Sequence, residues 1–226
     1  MLGYAVLLAG AISFVGSHFA MSHPLRAPLV ARLGEKGFQL LYIVVSLATF
    51  YLMVQGFQRA PASQPFWVAG DVLWAVSTVL MLVAAILFAG SLIGNPALPL
   101  PEEAAKRIAV KEPGGVFRIT RHPMMWSFAL WGISHILVAP RIDSIILSGA
   151  IIILALVGAR FQDSKKFIAM GEAWLQWQAR TSFVPFARGL AFPGWPALIG
   201  GIVLWLVATW AHMPLGVGAA GVFRWW

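Results

Sequence analysis

The sequence predicts an all-α integral membrane bundle of six transmembrane helices, and two observations predict it. Hydrophobic residues make up 60% of the 226 residues, charged residues only 11%, and the mean hydropathy is +0.81. A soluble domain would carry about 25% charged residues. The apolar residues also gather into six runs, each near the ~20 residues that span hydrocarbon. We expect one transmembrane domain over residues 1–226, with spans at about 2–21, 37–57, 67–94, 123–139, 142–160 and 195–213.

Basic residues are distributed on one side of the predicted bundle. Of the 16 Lys and Arg, 13 lie in or at the edge of three loops, 22–36, 95–121 and 161–194. The positive-inside rule places these loops in the cytoplasm and both termini outside, as expected for a multi-pass protein of a bacterial inner (plasma) membrane. The net charge of +8 therefore reflects topology and does not indicate nucleic-acid binding. The first run lacks a basic n-region, so we expect a retained helix rather than a signal peptide.

Local patterns add detail to three of the elements. Small residues on one side of the first helix favour close approach of another helix: Gly3, Gly10, Ser13 and Ser17. Pro123 suits the first turn of the fourth helix, where its missing N–H would be unpaired anyway. Residues 161–180 mix charged and aromatic side chains, which predicts an amphipathic helix in the cytoplasmic interface.

The absence of cysteine limits the chemistry that the chain can hold. Structural disulfides, iron–sulfur clusters, thiolate-ligated haem and covalent C-x-x-C-H haem attachment are excluded. A metal or haem would need His, Met, Tyr or carboxylate ligands. The five histidines are His18, His23, His122, His135 and His212.

Three of these histidines, His18, His135 and His212, fall inside predicted spans, where ionisable groups are costly and therefore informative. His212 lies near the outer end of the sixth helix, where it could cap the helix or supply a polar contact. His135 lies near the outer end of the fourth helix, and His18 lies near the cytoplasmic end of the first. Each could simply hydrogen-bond another helix. Neutral imidazoles on two different helices are also the simplest protein ligands for a non-covalent haem.

His122 and His135 cannot ligate opposite faces of one iron. They are 13 residues apart, which separates them by ~20 Å along a helix and by ~140° around it. Each therefore needs a partner from another helix. Helix geometry leaves both a His18–His135 pair and a His18–His122 pair open.

Arg121 lies where the fourth helix leaves the cytoplasmic interface. Its guanidinium suits an anionic group such as a haem propionate, a lipid phosphate or a substrate carboxylate. The alternative is an arginine that only snorkels to the interface. Glu172 and Arg180 are candidate partners for Arg121, or for each other.

Several segments occur in an order that resembles the NnrU family of bacterial membrane proteins: SHFAMSHPLR, RITRHPMMW, WGISHIL, GEAWLQWQARTSFVPF and AHMPLGV. The pattern is similar to that of 15-cis-ζ-carotene isomerase, a membrane enzyme that uses b-type haem. The resemblance implies non-covalent haem b with His18 and His135 as axial metal ligands. It implies that His122 and Arg121 position the cofactor or a lipophilic substrate. It also implies a link to denitrification and nitric oxide metabolism, with a lipophilic molecule or a diatomic gas as ligand and a respiratory complex as a potential partner.

A second resemblance supplies an alternative function. An RHP triplet, followed about 50 residues later by a Gly-Glu-aromatic segment and VPF, is similar to isoprenylcysteine carboxyl methyltransferases. This resemblance implies S-adenosylmethionine as the cofactor and a membrane methyltransferase as the function. A further alternative is a non-catalytic maturation factor for a respiratory nitrogen-oxide enzyme.

Overall fold

The computed structural model describes residues 2–94 and 101–226, and within them the secondary structure is entirely helical. Four helices are long and apolar enough to cross a membrane, while α5 and α8 are apolar but shorter, at 16 and 17 residues. The predicted all-α architecture is confirmed, and the four long apolar helices fit a membrane bundle. The helices are α1 (Leu2–Ser22), α2 (Arg26–Arg59), α3 (Asp71–Ser91), α4 (Pro101–Val110), α5 (Pro123–Val138), α6 (Ile142–Met170), α7 (Glu172–Arg180) and α8 (Trp195–Ala211).

Two helices differ in extent from the apolar runs that predicted them. α2 begins at Arg26. Gly34 has a positive φ of 68°, which interrupts the helical backbone and separates the first two turns of α2 from the rest. α3 begins only at Asp71, so residues 67–70 of the predicted third span are not helical. The segment before α3 instead passes the turn between α5 and α6, where the Phe66 N–H donates to the Pro140 carbonyl at 2.9 Å.

The predicted amphipathic helix at 161–180 is also wrong as a single element. Residues 161–170 continue α6, which reaches 29 residues. Gly171 then adopts a φ of 54°, and α7 starts at Glu172. A positive φ is accessible to glycine at little steric cost, so Gly171 ends the long helix and redirects the chain.

The described chain divides into two compact units. The first comprises the residues through Ala69 together with His135–Leu154, and the second comprises Gly70–Ser134 and Ala155–Trp226. α1 packs along α2 in the first unit, around a core of Leu7, Ala11, Met53 and Ala150. In the second unit α3 packs against α8 and α4 against α7. Its core is formed by Leu87, Ile108, Val116, Phe117, Ile119, Trp174, Trp177 and Ala197.

Glycines set the close contact between α1 and α2, as the small residues of the first helix predicted. A Cβ on Gly10 would lie 2.6 Å from the backbone of Met53, and a Cβ on Gly56 would lie 2.3 Å from the backbone of Leu7. Such distances are well below van der Waals contact. The two backbones therefore pack at a separation that only glycine permits, the arrangement expected where dispersion rather than water drives helix association.

Large apolar side chains cover much of the outer surface of the long helices. Leu40 and Leu47 of α2 and Ile199 of α8 are each about 60% exposed or more, and at most 28% of any candidate spanning window is buried. An aqueous protein rarely presents so much contiguous apolar surface. Lipid tails would cover these faces.

Replacing Gly10 by leucine should loosen the α1–α2 pair. The new side chain meets the Met53 backbone, which cannot move aside without separating the helices, so we expect a loss of about 1–3 kcal/mol in unfolding free energy. Unfolding of the detergent-solubilised protein, followed by tryptophan fluorescence, measures the loss.

The matched control is Gly16→Leu, since a Cβ at Gly16 meets no atom within 4 Å. This variant should unfold within about 0.5 kcal/mol of the parent. Equal losses of unfolding free energy in both variants would show that leucine on α1 destabilises the protein for reasons other than contact with α2.

Candidate functional site

Two segments distant in sequence lie side by side in the second unit. The Arg121 N–H donates to the Ser182 carbonyl at 2.8 Å, and the Phe186 N–H donates to the Ile119 carbonyl at 3.1 Å. The Thr120 hydroxyl donates to the Phe183 carbonyl at 2.7 Å. The structure thus joins the RITRHP and RTSFVPF segments into one local framework, directly before the first turn of α5.

Asp163, near the end of α6, binds both polar residues of the RHP triplet. Arg121 donates from Nη2 to Oδ2 at 2.7 Å and from Nε to both carboxylate oxygens at 3.1 Å. His122 Nε2 lies 2.8 Å from Oδ1. The three side chains are 12%, 3% and 13% exposed in the order Arg121, His122 and Asp163. This is a partly buried ionic cluster in which one carboxylate accepts hydrogen bonds from two side chains.

The cluster fixes which nitrogen of His122 carries a proton. An ionised carboxylate only accepts hydrogen bonds, and the multiple donors from Arg121 favour the ionised form of Asp163. The Nε2 atom of His122 is therefore the donor. Since a metal ligand must present an unprotonated nitrogen, this Nε2 cannot bind iron while the contact to Asp163 persists.

The Phe183 ring closes one side of the cluster. It meets the His122 imidazole edge-on at a centroid distance of 5.4 Å. The Arg121 guanidinium carbon lies 5.4 Å from the same ring, and that of Arg160 lies 5.3 Å from it. Cations near an aromatic face are attracted by its quadrupole. The Phe183 carbonyl also accepts the Trp126 Nε1–H at 2.7 Å, which holds Phe183 to the first turns of α5.

The partners expected for Arg121 from the sequence are wrong. Arg180 instead binds Glu112 at 3.1 Å and the Ile108 carbonyl, joining α7 to α4. Glu172 is exposed, on the far side of the break at Gly171. The residue that sequence reasoning missed is Asp163. Its signal was its position, as the first carboxylate after the apolar run at 142–160.

His18 lies half-buried in the first unit, with one ring nitrogen oriented by its own helix. Its Nδ1 lies 2.7 Å from the Phe14 carbonyl, so Nδ1–H is the donor and Nε2 is left as the unprotonated nitrogen. The ring contacts Phe14 edge-on at 4.5 Å and Tyr42 of α2 edge-on at 5.3 Å. Histidines that bind metals commonly donate their other N–H to a carbonyl in this way.

His135 belongs to the same compact unit as His18, and His122 belongs to the other. His135 lies half-buried in α5, and its carbonyl accepts a hydrogen bond at 2.9 Å from the N–H of Ala139, the first residue after α5. Among the side chains that the structure describes, which exclude those of residues 95–104, no three His, Asp or Glu side chains come close enough together to hold a metal ion by themselves.

Comparison with known families gives one decisive match. The family model described as NnrU protein matches residues 6–219, nearly the whole chain. The chain belongs to the NnrU family. Comparisons with curated proteins and with solved structures give no match. The NnrU match spans both compact units and includes the framework at residues 119–122 and 182–186.

Replacing Asp163 by alanine should destabilise the second unit. The change leaves the Arg121 guanidinium and the His122 N–H without their acceptor in a partly buried place, so we expect a loss of about 3 kcal/mol. Thermal unfolding in detergent measures the loss. Glu172→Ala, which removes an exposed carboxylate from the neighbouring helix, should change stability by no more than about 0.5 kcal/mol.

The double variant R121M/D163L tests whether the pair acts as a unit. Removing both charges leaves neither partner uncompensated, so the double variant should lose less stability than the two single variants together. Additive losses would mean that the ion pair contributes no coupling energy.

Proposed function

We propose that this NnrU-family protein is an integral membrane b-type haem-binding protein with His18 and His135 as the axial ligands. The observation that carries the proposal is the setting of His18: its Nδ1–H is bound to the Phe14 carbonyl, which leaves Nε2 as the unprotonated nitrogen, and Phe14 and Tyr42 contact the ring edge-on from two helices. Haem supplies four nitrogens to its iron, so two protein imidazoles complete the coordination without a cluster of protein ligands.

The residues around His18 fit a large apolar cofactor. Phe14 and Tyr42 hold the imidazole edge-on from two helices, and Phe50 extends the aromatic surface with a ring centroid 5.6 Å from that of Phe14. A porphyrin is mostly apolar and favours such walls. His135 is proposed as the second ligand because it lies in the same compact unit as His18, whereas His122 lies in the other unit and is held by Asp163.

When bound, haem would supply a redox-active iron, which could coordinate a diatomic gas or a polyene double bond only where one of the two imidazoles is released. The role proposed for the protein is to orient the ligating imidazole through the Phe14 carbonyl and to exclude water with the aromatic side chains. Arg121 commits Nε and Nη2 to Asp163, so the haem site proposed here does not depend on it as a propionate anchor. Arg121 and His122 are proposed to position a lipophilic substrate, with Asp163 fixing both side chains.

The proposed physiological setting is the bacterial inner membrane and nitric oxide metabolism or denitrification. A haem-dependent cis–trans isomerisation of a lipophilic polyene is the enzymatic form of this proposal, and haem handling for a respiratory nitrogen-oxide enzyme is the non-catalytic form. In the proposed topology α5 and α8 complete six spans, with both termini outside. At ~1.5 Å per residue these two helices reach about 24–26 Å, slightly less than the ~30 Å hydrocarbon core.

Purified protein from cells supplied with a haem precursor should show a Soret band that shifts on reduction with dithionite. His18→Ala and His135→Ala should each abolish or alter the band, since each removes one axial ligand. The absorbance and electron paramagnetic resonance spectra of the two variants and the parent provide the measurement.

His212 offers a matched control for this experiment. Its Nδ1 makes the same contact with a carbonyl one turn earlier, that of Ala208 at 2.7 Å, but His212 lies in the second unit. His212→Ala and His122→Ala should leave the spectrum unchanged. A spectrum that His122→Ala abolishes and His135→Ala leaves intact would contradict the ligand assignment. A colourless protein that binds S-adenosylmethionine would favour the methyltransferase alternative.

The proposed topology is tested by fusion of alkaline phosphatase, which is active only outside the cytoplasm. A fusion after Trp226 should be active, and a fusion after Arg188 should be inactive, because the basic segment is expected to stay inside. The reverse pattern would invert the topology. Equal activity at both sites would mean that α8 does not cross the membrane.

A further inference from the structure

A cavity of about 300 Å³ lies in the second unit among α3, α4, α7 and α8. Its floor is apolar and contains Ile108, Val116, Phe117 and Trp177. Its size matches the lower end of the range for small-molecule sites. None of the histidines, and none of the three residues of the Asp163 cluster, lines it.

Two cationic side chains line the rim of this cavity. Arg107 and Lys111 are one turn apart on or just after α4, and both are exposed. Residues at i and i+4 project from the same side of a helix. No ion pair joins either of them to a carboxylate whose side chain the structure describes.

The one described carboxylate on the rim does not neutralise these cations. Glu112 lines the cavity but binds Arg180 at 3.1 Å. Arg180 in turn donates to the Ile108 carbonyl at 2.5 Å and lies 5.9 Å from the Trp177 ring. The Glu112–Arg180 pair therefore joins α7 to the segment at the end of α4, and Arg107 and Lys111 give the described part of the rim an excess of positive charge.

Backbone without side chains forms much of the remaining wall. Gly90, Gly94, Gly114, Gly115 and Gly194 all line the cavity. A Cβ on Gly90 would lie 2.3 Å from a methyl group of Val116. Glycine at this position keeps α3 close to the cavity floor, while the other glycines leave backbone accessible to a ligand.

We propose that this cavity binds the head group of an anionic phospholipid. Arg107 and Lys111 would hold the phosphate, and the apolar floor would contact the glycerol and the first carbons of the acyl chains. The combination of a cationic rim and an apolar floor recognises an anionic amphiphile better than it recognises a free anion. The apolar outer faces of α3 and α8, two helices that line the cavity, provide a surface along which acyl chains can lie.

The test uses the full-length protein in a neutral detergent and native mass spectrometry. Three probes are compared: dioctanoyl phosphatidylglycerol, dioctanoyl phosphatidylcholine and glycerol 3-phosphate. We expect one phosphatidylglycerol to bind at least about tenfold more tightly than either other probe, because the first probe alone combines a net negative charge with acyl chains. The double variant R107E/K111E should weaken its binding by about tenfold or more.

The matched control is Lys106→Glu, which reverses an adjacent charge on the same helix at a position that does not line the cavity. It should change the affinity by no more than about twofold. If the unfolding temperature of R107E/K111E falls, the neutral variant R107Q/K111Q replaces it.

Three results would overturn the proposal. Equal affinity for phosphatidylcholine and phosphatidylglycerol would show that the net charge of the lipid does not determine binding. Glycerol 3-phosphate binding as tight as that of the lipid would make the cavity a site for water-soluble phosphate esters. An equal loss of affinity in Lys106→Glu and in the double variant would show that the basic helix attracts the lipid without a specific site.

Discussion

The contact on which the second unit depends most is that between the Asp163 carboxylate and the pair Arg121–His122. A carboxylate near the boundary of a membrane is costly unless donors compensate it. Asp163 lies 21 residues after the first residue of α6, or about 32 Å along the axis. That distance is close to one hydrocarbon thickness. The length of α6 thus carries the carboxylate to the level at which charged partners can reach it.

The contact also explains why chain segments that are distant in sequence meet. Arg121 and His122 can reach Asp163 only if the chain before α5 is held in place, and the residues after α7 provide that support. The Ser182 and Phe183 carbonyls accept hydrogen bonds from Arg121, Thr120 and Trp126. The Phe183 ring then covers the imidazole and the guanidinium. A charged cluster at the end of a helix is in this way stabilised by an aromatic side chain and two backbone carbonyls from another segment.

Much of the fold could be predicted from the sequence because a membrane imposes few solutions. Apolar runs near 20 residues must become helices, and Pro123 marks a helix start since it lacks an N–H. The glycines of the first run predicted a close helix contact, and the structure supplies Met53 of α2 as the partner of Gly10. The helix boundaries were harder to predict. Residues 161–170 have a helical pattern whether they continue α6 or start a new helix, and only the positive φ of Gly171 separates the two cases.

The ion pairs could not be predicted from the sequence, for a different reason. Asp163 and Glu172 are both carboxylates that follow the same apolar run, and composition does not rank them. Their difference arises from the break at Gly171, which leaves Asp163 on the long helix and Glu172 exposed beyond it. Arg180 similarly finds Glu112 because α4 lies against α7, a contact between elements more than 60 residues apart in sequence.

The chemical role open to each histidine depends on both its local helix geometry and its tertiary contacts. His18 and His212 each donate from Nδ1 to a carbonyl one turn earlier, so the same local geometry occurs at two histidines. That feature by itself does not select a ligand. The surroundings of His18 supply the further feature on which the haem proposal depends, since two aromatic rings from two helices contact its imidazole. His122 has the opposite arrangement, with Nε2 bound to a carboxylate that also binds arginine. In that arrangement His122 holds the Asp163 carboxylate at the start of α5, whereas His18 lies among aromatic rings with its Nε2 lone pair uncommitted to its own helix.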